Sequence, residues 1–142
     1  MRPLRSKTMG CQSRRATALV EMALALLLLM LLTMGAVEYG WFFLKQQQIT
    51  NAARQAARVA CTADATNLTV KATVDSLMSS YGMGSTGYTQ PYSPTNVSSA
   101  KIGDSVSVTV SVTYSKITIT NFKLLPMPTT VSATVAMVKE GS

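Results

Sequence analysis

Glu21 is the residue of this chain whose position most directly implies chemistry. It is a single carboxylate near the start of the apolar run A-L-V-E-M-A-L-A-L-L-L-L-M, and the next charged residue is Glu38. A carboxylate in or near a bilayer is costly unless it finds a partner or reaches the head groups. Two interpretations follow: Glu21 pairs with a cation of a neighbouring chain, or it extends to the cytoplasmic interface and only tolerates its position.

The composition argues against catalysis. The chain has no histidine, which removes the commonest general base and the commonest metal ligand. The carboxylates that follow the apolar run are widely separated, and no Gly-rich phosphate loop or Cys-x-x-Cys site is present. We therefore predict a protein that is not an enzyme and that has no cofactor, no metal site and no small-molecule substrate.

The apolar run is long enough to cross a membrane. From Ala16 to Glu38 it covers roughly 22 residues, which at about 1.5 Å per residue match the ~30 Å hydrocarbon core. A signal peptide has a shorter apolar region. Positive residues crowd the N-terminal side, and Lys45 stands alone beyond the other end. The positive-inside rule predicts a cytoplasmic N-terminus and an exported C-terminal region.

The positive charge of the chain is a feature of its leader. Five of the 13 Lys and Arg residues precede residue 17: Arg2, Arg5, Lys7, Arg14 and Arg15. The rest of the chain is nearly balanced, so membrane topology explains the net charge of +7 and no nucleic-acid partner is expected.

An aromatic cluster follows the apolar run. Trp41, Phe42 and Phe43 stand where an aromatic belt meets the head groups, and Lys45 follows them. We predict that these four residues mark the membrane interface on the exported side, with Glu38 as a boundary residue beside them.

The helical pattern continues as a stripe of small residues. Six positions recur at i, i+3, i+4, i+7, i+8 and i+11, namely Ile49, Ala52, Ala53, Ala56, Ala57 and Ala60. The stripe predicts a packing face, either in the core of this chain or against helices of other subunits. Cys61, at its end, is expected to be buried rather than paired between chains.

The remainder predicts a small mixed domain. A second helix is expected within 63–80, started by Thr66 or Asn67, and a Gly-, Ser-, Pro- and Tyr-rich loop spans 79–104. Strict alternation of Val with Ser and Thr in S-V-S-V-T-V-S-V-T-Y-S predicts a half-buried strand. Ile117 and Ile119 extend a strand-like pattern, which resumes from Val131 to Met137.

Several of these segments together carry a family resemblance. R-R-A-T-A-L-V-E-M-A-L, V-E-Y-G-W-F-F and Q-Q-Q-I-T-N-A-A-R-Q-A-A-R resemble the TadE-like minor pilins, or pseudopilins, of the tight adherence (Flp pilus) system. A weaker likeness lies in Y-S-K-I-T-I-T-N-F-K-L-L-P. The resemblance implies cleavage by a prepilin peptidase between Ala16 and Thr17, which makes Glu21 the fifth mature residue. Members often have Gly where this chain has Ala16.

The resemblance also implies a fold and a function. The expected fold is α+β and pilin-like, with the long N-terminal helix packed on a small antiparallel sheet. The expected organisation is a cytoplasmic leader at 1–16, a long helix at 17–61 and an exported domain at 62–142. The expected role is assembly of a Flp-type pilus and surface attachment. The expected partners are other pilin and pseudopilin subunits, the assembly platform and the lipid of the bacterial inner membrane that anchors the chain. The alternatives are an unprocessed single-pass envelope scaffold, a secretion-system pseudopilin and a major pilin.

Overall fold

The chain folds as a long helix, a short helix and a three-stranded sheet. In the computed structural model, which describes residues 10–119 and 126–140, α1 spans Gly10–Ala60 and α2 spans Asn67–Ser80. The strands are β1 (Tyr92–Ser93), β2 (Ser105–Thr113) and β3 (Thr130–Val138). The predicted α+β fold, with a long apolar N-terminal helix and a small antiparallel sheet, is confirmed.

The chain divides into two compact units inside α1. One unit ends at Val37 and the other begins at Glu38. The first consists of the apolar half of α1, whose Ala, Leu and Met residues have high helix propensity. The second contains the rest of α1, α2 and the sheet. α1 begins before residue 17, where the long helix was expected to start. The later part of α1 belongs to the second unit, because its buried residues form part of the core of that unit.

The start of α2 follows its predicted signal. Thr66 is the N-cap, its Oγ1 accepts from the backbone N–H of Thr69 at 3.2 Å, and Thr69 Oγ1 accepts from the Thr66 backbone N–H at 3.0 Å. This reciprocal pair satisfies two backbone donors that the first turn leaves open. The helix ends at Ser80, and Gly82 follows with φ +70°, a left-handed conformation that glycine adopts without steric cost.

The sheet has the order β1-β2-β3, and both pairings are antiparallel. β2 and β3 pair in an unbroken register from Ser105↔Val138 to Thr113↔Thr130. The valines of β2 are buried and the Ser and Thr residues between them are more exposed, as the alternation predicts. β1 was not predicted, because a two-residue strand leaves no periodic signal.

The chain leaves the strand at Tyr114, which corrects the strand-like reading of Ile117 and Ile119. Tyr114–Lys116 is a 3₁₀ helix, and Ile117 to Ile119 form a turn and a bend. Residues three apart share one face of a 3₁₀ helix, so Tyr114 and Ile117 both enter the core, where they are 7% and 6% exposed. Most of N-F-K-L-L-P lies outside the described residues.

The core joins all parts of the second unit. Most of its fully buried members come from α1, α2 and β2, and among the largest are Ile49, Val70, Val74, Met78, Val106, Val108 and Val110. Tyr81, Tyr88 and Tyr92 pack against this cluster and are partly buried. The loop tyrosines therefore cover the core.

Candidate functional site

The first half of α1 presents an apolar surface that no other described residue covers. Every residue from 16 to 37 except Gly35 is exposed, and the large side chains Leu19, Met22, Leu27 and Leu28 are between 65% and 72% exposed. α1 contains one span that is long and apolar enough to cross a membrane. A continuous apolar surface of this size is stable only against lipid or another apolar surface.

The predicted cleavage and assembly residues lie on this exposed helix. Ala16 and Thr17 are helical and exposed, and so is Glu21. Within the described residues, Glu21 makes no hydrogen bond or ion pair. Its carboxylate is therefore available to a group supplied from outside this chain. Cleavage after Ala16 and a role for Glu21 in assembly remain predictions.

The predicted interface residues divide between the domain and the exterior. Trp41 donates from Nε1 to the Ile117 carbonyl at 2.6 Å. Phe42 packs against Tyr114 edge to face with ring centroids 5.8 Å apart, whereas Phe43 is 62% exposed. Lys45 is buried and donates to the Tyr81 carbonyl at 3.0 Å, with its Nζ 4.8 Å from the centroid of the Trp41 ring. Three of the four side chains therefore contact the domain, and contact of this segment with head groups stays a prediction.

Glu38 is a buried anchor, which corrects its reading as a boundary residue that extends to the head groups. It is 4% exposed and its Oε1 accepts from the hydroxyl of Tyr114 at 2.7 Å and from the hydroxyl of Thr118. Burial and the neighbouring Glu38 carboxyl raise the pKa of Tyr114 to about 12. The cluster ties the first turn of the second unit to the segment after β2. Tyr114 lies 76 positions after Glu38, so no local sequence pattern predicts this hydrogen bond.

The Tyr114→Phe variant is expected to lower the free energy of unfolding by about 1–3 kcal/mol, since it removes a buried hydrogen bond to a carboxyl oxygen. The measurement is chemical denaturation of the full-length protein in detergent micelles, followed by the fluorescence of Trp41, the only tryptophan. Tyr39→Phe is the matched control because Tyr39 is exposed. Equal loss in both variants would contradict the role given to the Tyr114 hydroxyl.

The pH dependence of the free energy of unfolding provides a second test with the same variant. The pKa of Tyr114 is raised from 10.0 to about 12, so its stabilising contribution is complete below pH 10 and is lost as pH rises towards 12. Tyr114→Phe should reduce this alkaline decline.

The alanine stripe lies in the core of the second unit. Ile49, Ala52, Ala53, Ala56, Ala57 and Ala60 are all 0% exposed. Small side chains let the helix backbone approach the neighbouring elements closely, and complete burial leaves no surface of these six residues for another subunit. Cys61 is a free thiol, 5% exposed, so its predicted burial is confirmed.

A polar cluster ties the loop to α2. Asp75 accepts from Lys71 Nζ at 2.8 Å, from the hydroxyl of Tyr88 at 2.5 Å and from Gln90 Nε2 at 3.3 Å. The hydrogen bond from Lys71 is the main reason why the pKa of Asp75 is lowered. These residues line a surface depression of about 660 Å³. Both oxygens of the Asp75 carboxylate accept hydrogen bonds within the protein, so the cluster holds the loop against α2.

The described residues contain no group of three or more His, Cys, Asp or Glu side chains that could hold a metal ion. Two features therefore distinguish this chain. One is the exposed apolar helix with Glu21, and the other is the hydrogen-bonded cluster of Glu38, Tyr114 and Thr118.

Comparison with known families identifies the same segment. The family described as TadE-like protein matches residues 16–58. This part of the chain is similar to the TadE-like family. The match begins at the residue before the predicted cut and includes Glu21, the aromatic cluster and most of the alanine stripe, so the predicted resemblance is confirmed over this segment. No curated protein and no solved structure matches the chain.

Proposed function

We propose that this chain is a membrane-anchored minor pilin, or pseudopilin, that assists assembly of a Flp-type pilus of the tight adherence system. The observation that carries the proposal is the TadE-like match over residues 16–58, because the TadE-like family is associated with the Tad pilus. The role is structural, and the chain is not an enzyme.

The exposed helix supports membrane anchoring. Residues 16–37 offer one uncharged apolar surface apart from Glu21, and the folded unit begins directly after them at Glu38. In the proposed topology the basic leader stays in the cytoplasm, the apolar half of α1 spans the inner membrane, and the domain is exported to the periplasm or the exterior.

Leader removal and Glu21 supply the assembly step. A prepilin peptidase cuts between Ala16 and Thr17, and the new α-amino group of one subunit pairs with the Glu21 carboxylate of another. What supports this pairing is that Glu21 is exposed on α1 and makes no hydrogen bond or ion pair within the described residues. An unpaired carboxylate in lipid surroundings has a high free energy, and pairing with a cation lowers it.

Protease added to spheroplasts tests the topology. The region after Lys45 is expected to be digested, whereas an N-terminal tag on an uncleavable variant is expected to survive, since positive residues hold the leader in the cytoplasm. Lysed spheroplasts, in which the tag is also digested, are the control. Protection of the C-terminal domain in intact spheroplasts would reverse the proposed orientation.

A further inference from the structure

β3 is an edge strand that lacks the usual protection of an edge. Its sequence, T-V-S-A-T-V-A-M-V, has no charge, no proline and no glycine, and its nine residues pair with β2 without a bulge. Natural edge strands are usually short, charged, interrupted or covered, because exposed backbone groups recruit other strands. An unprotected strand on this domain is therefore a candidate binding surface.

The pairing pattern identifies the backbone groups that face away from β2. The N–H and C=O of Ser111 both bond to Thr89 on the β1 side, at 2.9 Å each. Ser132, its partner in β3, must then direct its own N–H and C=O away from β2. The same alternation applies to Thr134 and Ala136. We call the N–H and C=O groups of Thr134 and Ala136 the free edge of β3.

The free edge is bounded at both ends by α1. Gln46 Nε2 donates to the Ser132 carbonyl at 3.3 Å, and beyond the other end of β3 the Glu140 N–H donates to the Cys61 carbonyl at 3.0 Å. Between these contacts, the N–H and C=O of Thr134 and Ala136 have no hydrogen bond within the described residues. Both residues are exposed.

The inner face of β3 is also incompletely covered. Val108 and Val110 of β2 are 0% exposed, whereas their partners Val135 and Ala133 in β3 are only partly buried, as is Met137. A further strand beside β3 would cover these side chains with its own inward-facing residues. The open backbone groups and the partly covered apolar face of β3 would therefore both be satisfied by another β-strand.

We propose that the free edge of β3 accepts an extended segment of another polypeptide as a fourth strand of the sheet. Alternating donors and acceptors along an edge are matched by the backbone of another β-strand, and the side chains of the bound segment select it. The segment that fits is uncharged, with β-branched residues facing the core and Ser or Thr facing solvent, like β2. This inference does not depend on leader processing.

A different segment fits better than a second copy of β3. Gln46 lies near the start of β3 and Cys61 near its end, so this part of α1 runs in the same direction as β3. Antiparallel pairing of two β3 edges about a two-fold axis would reverse α1 in the second copy. A second copy would also carry the α1 contacts at both ends of its own free edge, whereas an isolated extended segment carries none.

Amide hydrogen exchange with a defined peptide tests the proposal. The probe is a synthetic copy of β2, S-V-S-V-T-V-S-V-T, with two lysines at each end, added to the full-length protein in detergent micelles. Exchange at the amides of Thr134 and Ala136 is expected to be fast in the protein alone and to slow by at least about tenfold when the probe is saturating. Unchanged exchange with the probe, or slow exchange without it, would overturn the proposal.

The matched variants are Thr134→Pro and Thr134→Val. Thr134 directs its N–H away from β2, so proline removes a donor of the free edge without breaking the β2–β3 ladder, and valine keeps that donor. Proline is expected to weaken probe binding at least tenfold, and valine is expected to preserve it. Equal binding by the two folded variants would contradict the proposal, and the exchange of Ala136 in the unaltered protein decides the matter if the proline variant does not fold.

Discussion

Replacing Ala16 with leucine is expected to leave essentially all of the chain in the membrane at full length. The proposed cut lies between Ala16 and Thr17, and a peptidase that accepts a small residue before the bond excludes a branched side chain there. Ala16 is exposed on α1, so leucine fits the fold and its effect falls on processing. Intact mass of the membrane-extracted variant is the measurement.

Ala16→Gly is the matched control for the leucine variant. Glycine is the residue that members of the family often have before the cut, so this variant is expected to be processed at least as completely as the unaltered chain. A leucine variant with the same mature mass as the unaltered chain would exclude cleavage at this bond.

Replacing Glu21 with glutamine is expected to impair assembly while leaving leader removal and membrane insertion largely intact. Glutamine keeps the shape of the side chain and removes its charge. A hydrogen bond to a charged group contributes ~1.5–3 kcal/mol, so the loss of one corresponds to roughly 10- to 150-fold weaker association between subunits. The readouts are co-purification with other pilus subunits and surface adhesion.

Glu21→Asp is the control for charge, since it keeps the carboxylate and shortens the side chain by one methylene. It is expected to retain more association than the glutamine variant. If the glutamine variant accumulates uncleaved, Glu21 is first a recognition element for the peptidase. If it is cleaved and assembles normally, Glu21 only extends to the head groups and the proposed pairing is wrong.

The elements that follow a short sequence period or a local capping pattern could be predicted from the sequence. The alternation from Val106 to Val112 predicted a half-buried strand, and the spacing of the alanines predicted a packing face. Thr66 predicted the start of α2 because a cap depends on residues three positions apart. Each of these signals reports contacts that are close in sequence or that obey a short period.

The parts that depend on distant partners were not readable. Glu38 was misread because its acceptor role depends on Tyr114 and Thr118, which reach it only after the sheet forms. Lys45 likewise stood beside an aromatic cluster in sequence, whereas its carbonyl partner is Tyr81 at the end of α2. Polar residues next to a membrane segment therefore have two possible partners, the head groups and the domain, and only the fold distinguishes them.

The functional features also include some that the sequence predicted and some that it did not. Residues 16–37 were recognisable as a segment able to cross a membrane, because that capacity depends only on length and composition. The free edge of β3 had no signal of its own, since whether an uncharged strand lies at the centre or at the edge of a sheet depends on the strand order.

The intact mass of the unaltered protein, extracted from the membrane, tests the central claim most directly. The account predicts a single mature chain that begins at Thr17 and lacks the mass of the leader. A translation start at Met9 would shorten the leader and leave the mature mass unchanged. A membrane-bound chain that retains the leader would contradict the pilin assignment and identify the protein as an unprocessed single-pass envelope scaffold.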